Sequence, residues 1–164
     1  MKSIVLALAC LVPASALAAP GGWVTYRNER FGSTAEIPAG WRAGPPPENR
    51  DGLRFVSPDG RSSVAVSGSL HSHDSIDDAL DAFERPKRGE RITYKIRRGR
   101  WLVVSGFRGG RIFYRKLILG CRGTVWNGVD IDYPAGEKRT FDPLVTHISK
   151  SLRAGPGYDA EGCS

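Results

Sequence analysis

Between Arg91 and Tyr133 the chain divides into four short runs rich in β-branched and aromatic residues, separated by Arg98-Gly99, Gly109-Gly110 and Cys121-Arg122. Runs of this kind cut by tight-turn signals predict an antiparallel meander. If each turn is a two-residue hairpin, the register follows, because strand side chains alternate with period two. One face then collects Ile92, Tyr94, Ile96, Trp101, Val103, Phe107, Ile112, Tyr114, Ile118, Val125, Val129 and Ile131. Three separately chosen turns thus give one continuous apolar face, and agreement across levels is what a sheet needs. The same register sets Arg111 directly opposite Asp132.

Upstream, Leu53 to Ser57 and Ser62 to Leu70 flank Pro58-Asp59-Gly60 as a further hairpin, with Val64, Val66 and Leu70 alternating against Ser63, Ser67 and Ser69. A helix is predicted after an Asp74-Ser75 cap, with Ile76, Ala79, Leu80 and Phe83 on its apolar stripe. A second carries Phe141, Leu144, Val145, Ile148 and Leu152 at helical spacing; either Asp142 caps a fresh helix with Pro143 in its first turn, or Pro143 kinks it. The turn-rich stretch from Pro38 to Gly52 reads as an ordered surface loop, since neither side of it could bury a core alone. The expectation is one α+β domain over 19–164: a single twisted antiparallel sheet flanked by two helices.

Residues 1–18 read as a cleaved signal peptide. Lys2 precedes nine uncharged residues, Ile4 to Val12, and Ala16-Leu17-Ala18 supplies the small residues of a cleavage site. The apolar stretch falls well short of the roughly 20 residues that cross a bilayer, so no transmembrane segment is expected. Cys10 lies inside that stretch without a Leu three residues before it, which argues against a lipoprotein. The protein is then periplasmic or secreted, and the two remaining cysteines, Cys121 and Cys163, read as a disulfide. Closing a loop of about 43 residues would contribute roughly 4 kcal/mol in the chain-entropy picture.

The segments Tyr26-Arg-Asn-Glu-Arg-Phe-Gly32, Ile37-Pro-Ala-Gly-Trp41 and Leu53-Arg-Phe-Val-Ser-Pro-Asp-Gly60 resemble uncharacterised exported proteins of Gram-negative bacteria and, more distantly, the PsbP-like fold. The resemblance implies an opening strand leading into a twisted antiparallel sheet, and a long closing helix ending in Ser151-Leu152. It covers most of residues 24–152. Its motifs are aromatic, Gly and Pro positions that specify shape far more than chemistry. That fold includes an extrinsic photosystem subunit, a binder of a small GTPase and envelope lipoproteins, so it assigns no single role.

His71 and His73, beside Asp74, have the spacing of a metal pair, yet they continue the polar series of Ser63, Ser67 and Ser69, and no Cys or Glu cluster adds ligands. No metal site follows. Asp130 and Asp132 could act as a general acid and base, but Arg111 opposite Asp132 points to an ion pair. His147 flanks the apolar stripe of the closing helix with no nucleophile to serve. There is no G-x-S-x-G, and Gly106, Gly109 and Gly110 surround a hairpin with no following helix to hold phosphate. No catalytic residue and no cofactor is implied.

Charge asymmetry stands above this background. Residues 85–122 hold thirteen Lys and Arg against Glu90 alone. The predicted register places Arg91, Lys95, Arg97, Arg100 and Arg115 on the face opposite the apolar one, interleaved with Leu102, Val104, Phe113, Leu117 and Trp126. Such a field steers anionic partners. Export disfavours nucleic acid, leaving an anionic lipid, an anionic glycan or an acidic protein of the envelope. Two function classes remain, a non-catalytic envelope protein binding through this face and an enzyme with a scattered site. The missing nucleophile, metal set and cofactor loop favour the first.

Overall fold

The computed structural model describes residues 21–72, 75–120 and 123–155. The expected leader with Cys10, then His73, Asp74 and Arg122, and the expected Cys121–Cys163 bridge, lie outside these described residues. The strands are β1 (Trp23–Arg27), β2 (Thr34–Pro38), β3 (Arg42–Ala43), β4 (Gly52–Val56), β5 (Ser63–Leu70), β6 (Glu90–Arg98), β7 (Trp101–Arg108), β8 (Arg111–Gly120) and β9 (Val125–Pro134). Helix α1 (Ile76–Glu84) precedes β6, and α2 (Lys138–Ser151) follows β9 through a short 3-10 turn. Strands β3 to β9 form one antiparallel sheet in the order β3-β4-β5-β9-β8-β7-β6. The expected single sheet is corrected in one respect: β1 and β2 form a separate two-stranded sheet, which Thr34 bridges to Arg153 after α2.

The meander is present from Glu90 to Pro134, and Arg108↔Arg111 flank the middle turn as expected. The outer turns differ. Arg98 pairs with Trp101, so the corner is Gly99-Arg100; Gly99 takes φ +54°, the first-corner conformation that suits glycine in a hairpin. Gly120 pairs with Val125 across a four-residue link, which sets Phe113, not Arg111, opposite Asp132. Both corrections shift the pairing by two residues, and an even shift leaves every side chain on its predicted face.

A bulge at Thr93 does change faces. Tyr94 pairs with Ser105 but Ile92 pairs with Gly106, so Ile92 and Arg91 exchange sides relative to the prediction. Gly106 permits this approach, since a Cβ there would lie 2.1 Å from the Arg91 carbonyl oxygen.

On the front of the sheet, Val64, Val66, Ile112, Val129, Ile131 and Tyr133 pack against Phe141, Val145, Ile148 and Leu152 of α2, with Ala35 and Ile37 of the β1–β2 hairpin. Helix α2 runs unbroken through Pro143 and begins three residues before the predicted start, so Asp142 caps no fresh helix. Lys116 on this face donates to the Ser149 carbonyl at 2.6 Å. His147 stacks on Trp23, centroids 3.7 Å apart, and its Nε2 meets the Glu36 carboxylate, tying the hairpin to the helix. On the back, Ala79 and Leu80 of α1 pack on Leu102, Val104, Leu119 and Trp126. Each fully buried Leu or Val contributes about 1.5–3 kcal/mol. Ser75 caps α1, accepting from the Asp78 N–H at 3.0 Å. Leu70, expected inward, is exposed. Among the described residues no helix is long and apolar enough to cross a membrane.

Candidate functional site

The back of the sheet has two unlike halves. Around α1 it is apolar; beyond α1 it carries charged residues that face one another because β6 to β9 are in register. Arg115 lies opposite Val104 on one side and Asp130 on the other. Its guanidinium, 3% exposed, pairs with the Glu90 carboxylate, 1% exposed, and sits over the Phe113 ring at 4.5 Å. Arg108 reaches Asp132 at 2.8 Å and approaches Glu90 at 3.7 Å. Arg111 Nε also donates to Asp132, diagonally rather than directly across, so the expected ion pair exists in a shifted register.

Burial alone would raise the Glu90 pKa, but the Lys87 backbone N–H and the Arg115 guanidinium more than offset this and hold it below the usual carboxylate range. Asp130 differs. Burial outweighs the attraction of Arg115, Lys87, Arg54 and Arg108 and pushes its carboxyl up. The two aspartates read together in the sequence are therefore separated by the fold: Asp132 is neutralised by two arginines, while Asp130 stays partly desolvated.

The five basic residues do not gather on one face. Arg91 lies on the front, over the Phe107 ring at 5.1 Å, because of the bulge, and Arg100 occupies the β6–β7 turn. Lys95 pairs with Glu84 at 3.2 Å, and Arg97 with Asp77 and Asp81, so these two clasp the acidic face of α1. Arg115 is buried. His71 lies beside Trp126, centroids 6.0 Å apart. Among the described residues no group of three or more His, Cys, Asp or Glu is placed to hold a metal ion.

At the junction of the two halves, α1 and the sheet border a cavity of about 380 Å³ that is open to solvent on one side. Leu117 and Trp126 line it from the sheet, Ala79, Ala82 and Phe83 from α1, Ser67 and Ser69 from β5, and Arg85, Lys87 and Arg115 from the charged side. Sequence reasoning missed this space. The visible signal was the small pair Ala79 and Ala82 on the buried side of α1; the match of Ser67 to Gly128 that deepens it requires the β5–β9 pairing, which no turn announces.

No family model matches the sequence, and no curated protein matches it. Solved structures do. The chain is similar to cyanobacterial PsbP from Synechocystis sp. PCC 6803, with TM-score 0.61 and 14% identity over 90% of this chain and 98% of that one. It is similar to the Ran-binding protein Mog1p of Saccharomyces cerevisiae, with TM-score 0.55 and 11% identity over 87% and 99% of the two chains. LpqN, involved in cell envelope biogenesis of Mycobacterium tuberculosis, matches with TM-score 0.50 and 16% identity over 82% and 91%. At these identities the likeness concerns architecture: the chain has the PsbP-like fold.

Proposed function

We propose that this chain is an exported, non-catalytic protein of the cell envelope that binds an anionic component of that compartment along the β6 edge of its sheet. The observation that carries the reading is the composition of that edge. Strand β6 is terminal in the sheet and holds Arg91, Lys95, Arg97 and Arg98 within nine residues, its one acid, Glu90, being buried against Arg115. Arg88, Arg98 and Arg100 are exposed and make no salt bridge among the described residues. Exposed charges contribute little to folding individually, so their concentration is available for recognition. A fold shared with LpqN, a protein involved in cell envelope biogenesis, is compatible with this role.

The test is sedimentation of the mature domain with phosphatidylglycerol vesicles, beside a variant with Arg88, Arg98 and Arg100 changed to Ser. Lys95 and Arg97 are left alone, because they anchor α1. Binding at low salt that weakens at moderate salt and is lost in the variant supports the reading. Basic residues on an edge strand also deter strand addition. Vesicle binding equal in the two proteins, with self-association of the variant, would assign the arginines to that purpose instead. Export is checked by N-terminal sequencing, which should begin at Ala19. The Cys121–Cys163 bridge is checked by mass, the unreduced protein being lighter by two hydrogens.

A further inference from the structure

The cavity under α1 borrows only the sign of its ligand's charge from the reading above. Its walls are small on both sides. Ala79 and Ala82 stand three residues apart and share one side of the helix. On the sheet, Leu117, Gly128 and Ser67 lie side by side across β8, β9 and β5, and a Cβ on Gly128 would sit 2.6 Å from Leu117 Cδ2. Small residues at a helix–sheet seam usually let the helix settle onto the strands. Here α1 is held off by its flanks, Phe83 against the Arg115 guanidinium and the aspartates against Arg97, and the space between stays open.

The cavity is split by polarity. Leu117, Trp126 and Phe83 offer an apolar bed, whereas Arg85 and Lys87 line it just past the C-terminus of α1, both exposed to solvent and neither in a salt bridge among the described residues. Arg115 is already committed to Glu90. A wholly polar anion would leave the apolar bed unused, and a neutral hydrocarbon would leave the cations unanswered. The volume of about 380 Å³ is at the lower end of the range of small-molecule clefts, roughly 300–1,000 Å³.

We propose that this cavity binds an amphiphilic anion, with a medium-length acyl or alkyl chain on Leu117, Trp126 and Phe83 and a carboxylate or phosphate head at Arg85 and Lys87. The test is calorimetric titration of the mature chain with decanoate and decyl phosphate, each below its micellar concentration, and with decanol below its solubility limit. Saturable one-to-one binding is expected for at least one anion, with decanol about tenfold or more weaker for want of a charge-assisted head-group contact. The two anions distinguish a fatty-acid head from a phosphate head. Ala82→Leu, which fills the cavity with a good helix former, should abolish saturation while the domain still melts cooperatively. Arg85→Gln with Lys87→Gln should bring the anions to the level of decanol. No saturation with either anion, equal binding of decanol, or undiminished binding by Ala82→Leu would overturn the proposal. The Arg88, Arg98 and Arg100 variant should bind whichever anion saturates wild type normally, so a failure on vesicles and a failure in the cavity are told apart.

Discussion

Glu90 is the one acid in a basic stretch, and its replacement by Gln exposes what the charged half of the sheet costs to assemble. The change preserves volume but leaves the Arg115 cation buried, since both side chains are almost wholly inaccessible. Breaking a buried pair from one side typically costs about 3–5 kcal/mol. The lower end applies here, because Asp130 remains within electrostatic reach of Arg115 and the guanidinium keeps its stack on Phe113. In urea at neutral pH, a loss of about 3 kcal/mol at a slope of roughly 2 kcal/mol per molar lowers the midpoint by about 1.5 M. Because Glu90 titrates below its unfolded value, its stabilisation is present above the ordinary carboxylate pKa and is lost as pH falls through the lowered one. The gap between wild type and Glu90→Gln should therefore close in acid. The double variant Glu90→Leu with Arg115→Met, which removes both charges, should regain most of the loss. A Glu90→Gln midpoint within experimental scatter of wild type, or a double variant weaker than the single one, would refute this account.

Three further outcomes follow from separate parts of the fold. Gly68→Ala should destabilise by about 1–3 kcal/mol or more in thermal unfolding, because its Cβ would fall 2.3 Å from Cβ of the buried Phe31. Asp130→Asn should stabilise the domain at neutral pH, since a carboxyl with a raised folded pKa opposes folding once it ionises; the gain should vanish below the unfolded pKa, as paired melts at neutral and acid pH would show. Tyr133, held up by burial and by the Asp142 carboxylate, should ionise at about 12 in ultraviolet titration, and Asp142→Asn should lower that value.

What the sequence made legible was parity. Each misplaced turn moved the pairing by two residues, so Leu102, Val104, Phe113, Leu117 and Trp126 fell on one side of the sheet, as predicted, and proved to be the seat of α1 and its neighbouring charges. Only the Thr93 bulge changed parity, and it removed Arg91 from the expected basic face. Bulges are set by backbone contact, here at Gly106, and leave no period to read. The hairpin of β1 and β2 was likewise hidden, because its tie to α2 through Trp23, Glu36 and His147 joins residues more than a hundred positions apart. The basic stretch was plain as composition, yet which cations were consumed internally depended on where α1 lay. In the sequence Asp77, Asp81 and Glu84 have the pattern of ordinary solvated helix residues; in the fold Arg97 pairs with the two aspartates and Lys95 with Glu84.

Strand β9 sits between β5 and β8, joining the early hairpins to the meander, although it is the last strand in the chain. Its pairing with β5 spans a long separation, Ser63 with Asp132, and such closures are slow relative to local hairpins. Until β9 is available, β5 and β8 each present an unsatisfied edge, and the front apolar face has neither its central strand nor α2. A chain arrested before Val125 therefore contains two incomplete sheets and no shared core. The order of manufacture thus delays commitment: the β3–β5 and β6–β8 halves can join into one sheet only after Val125–Pro134 has been made.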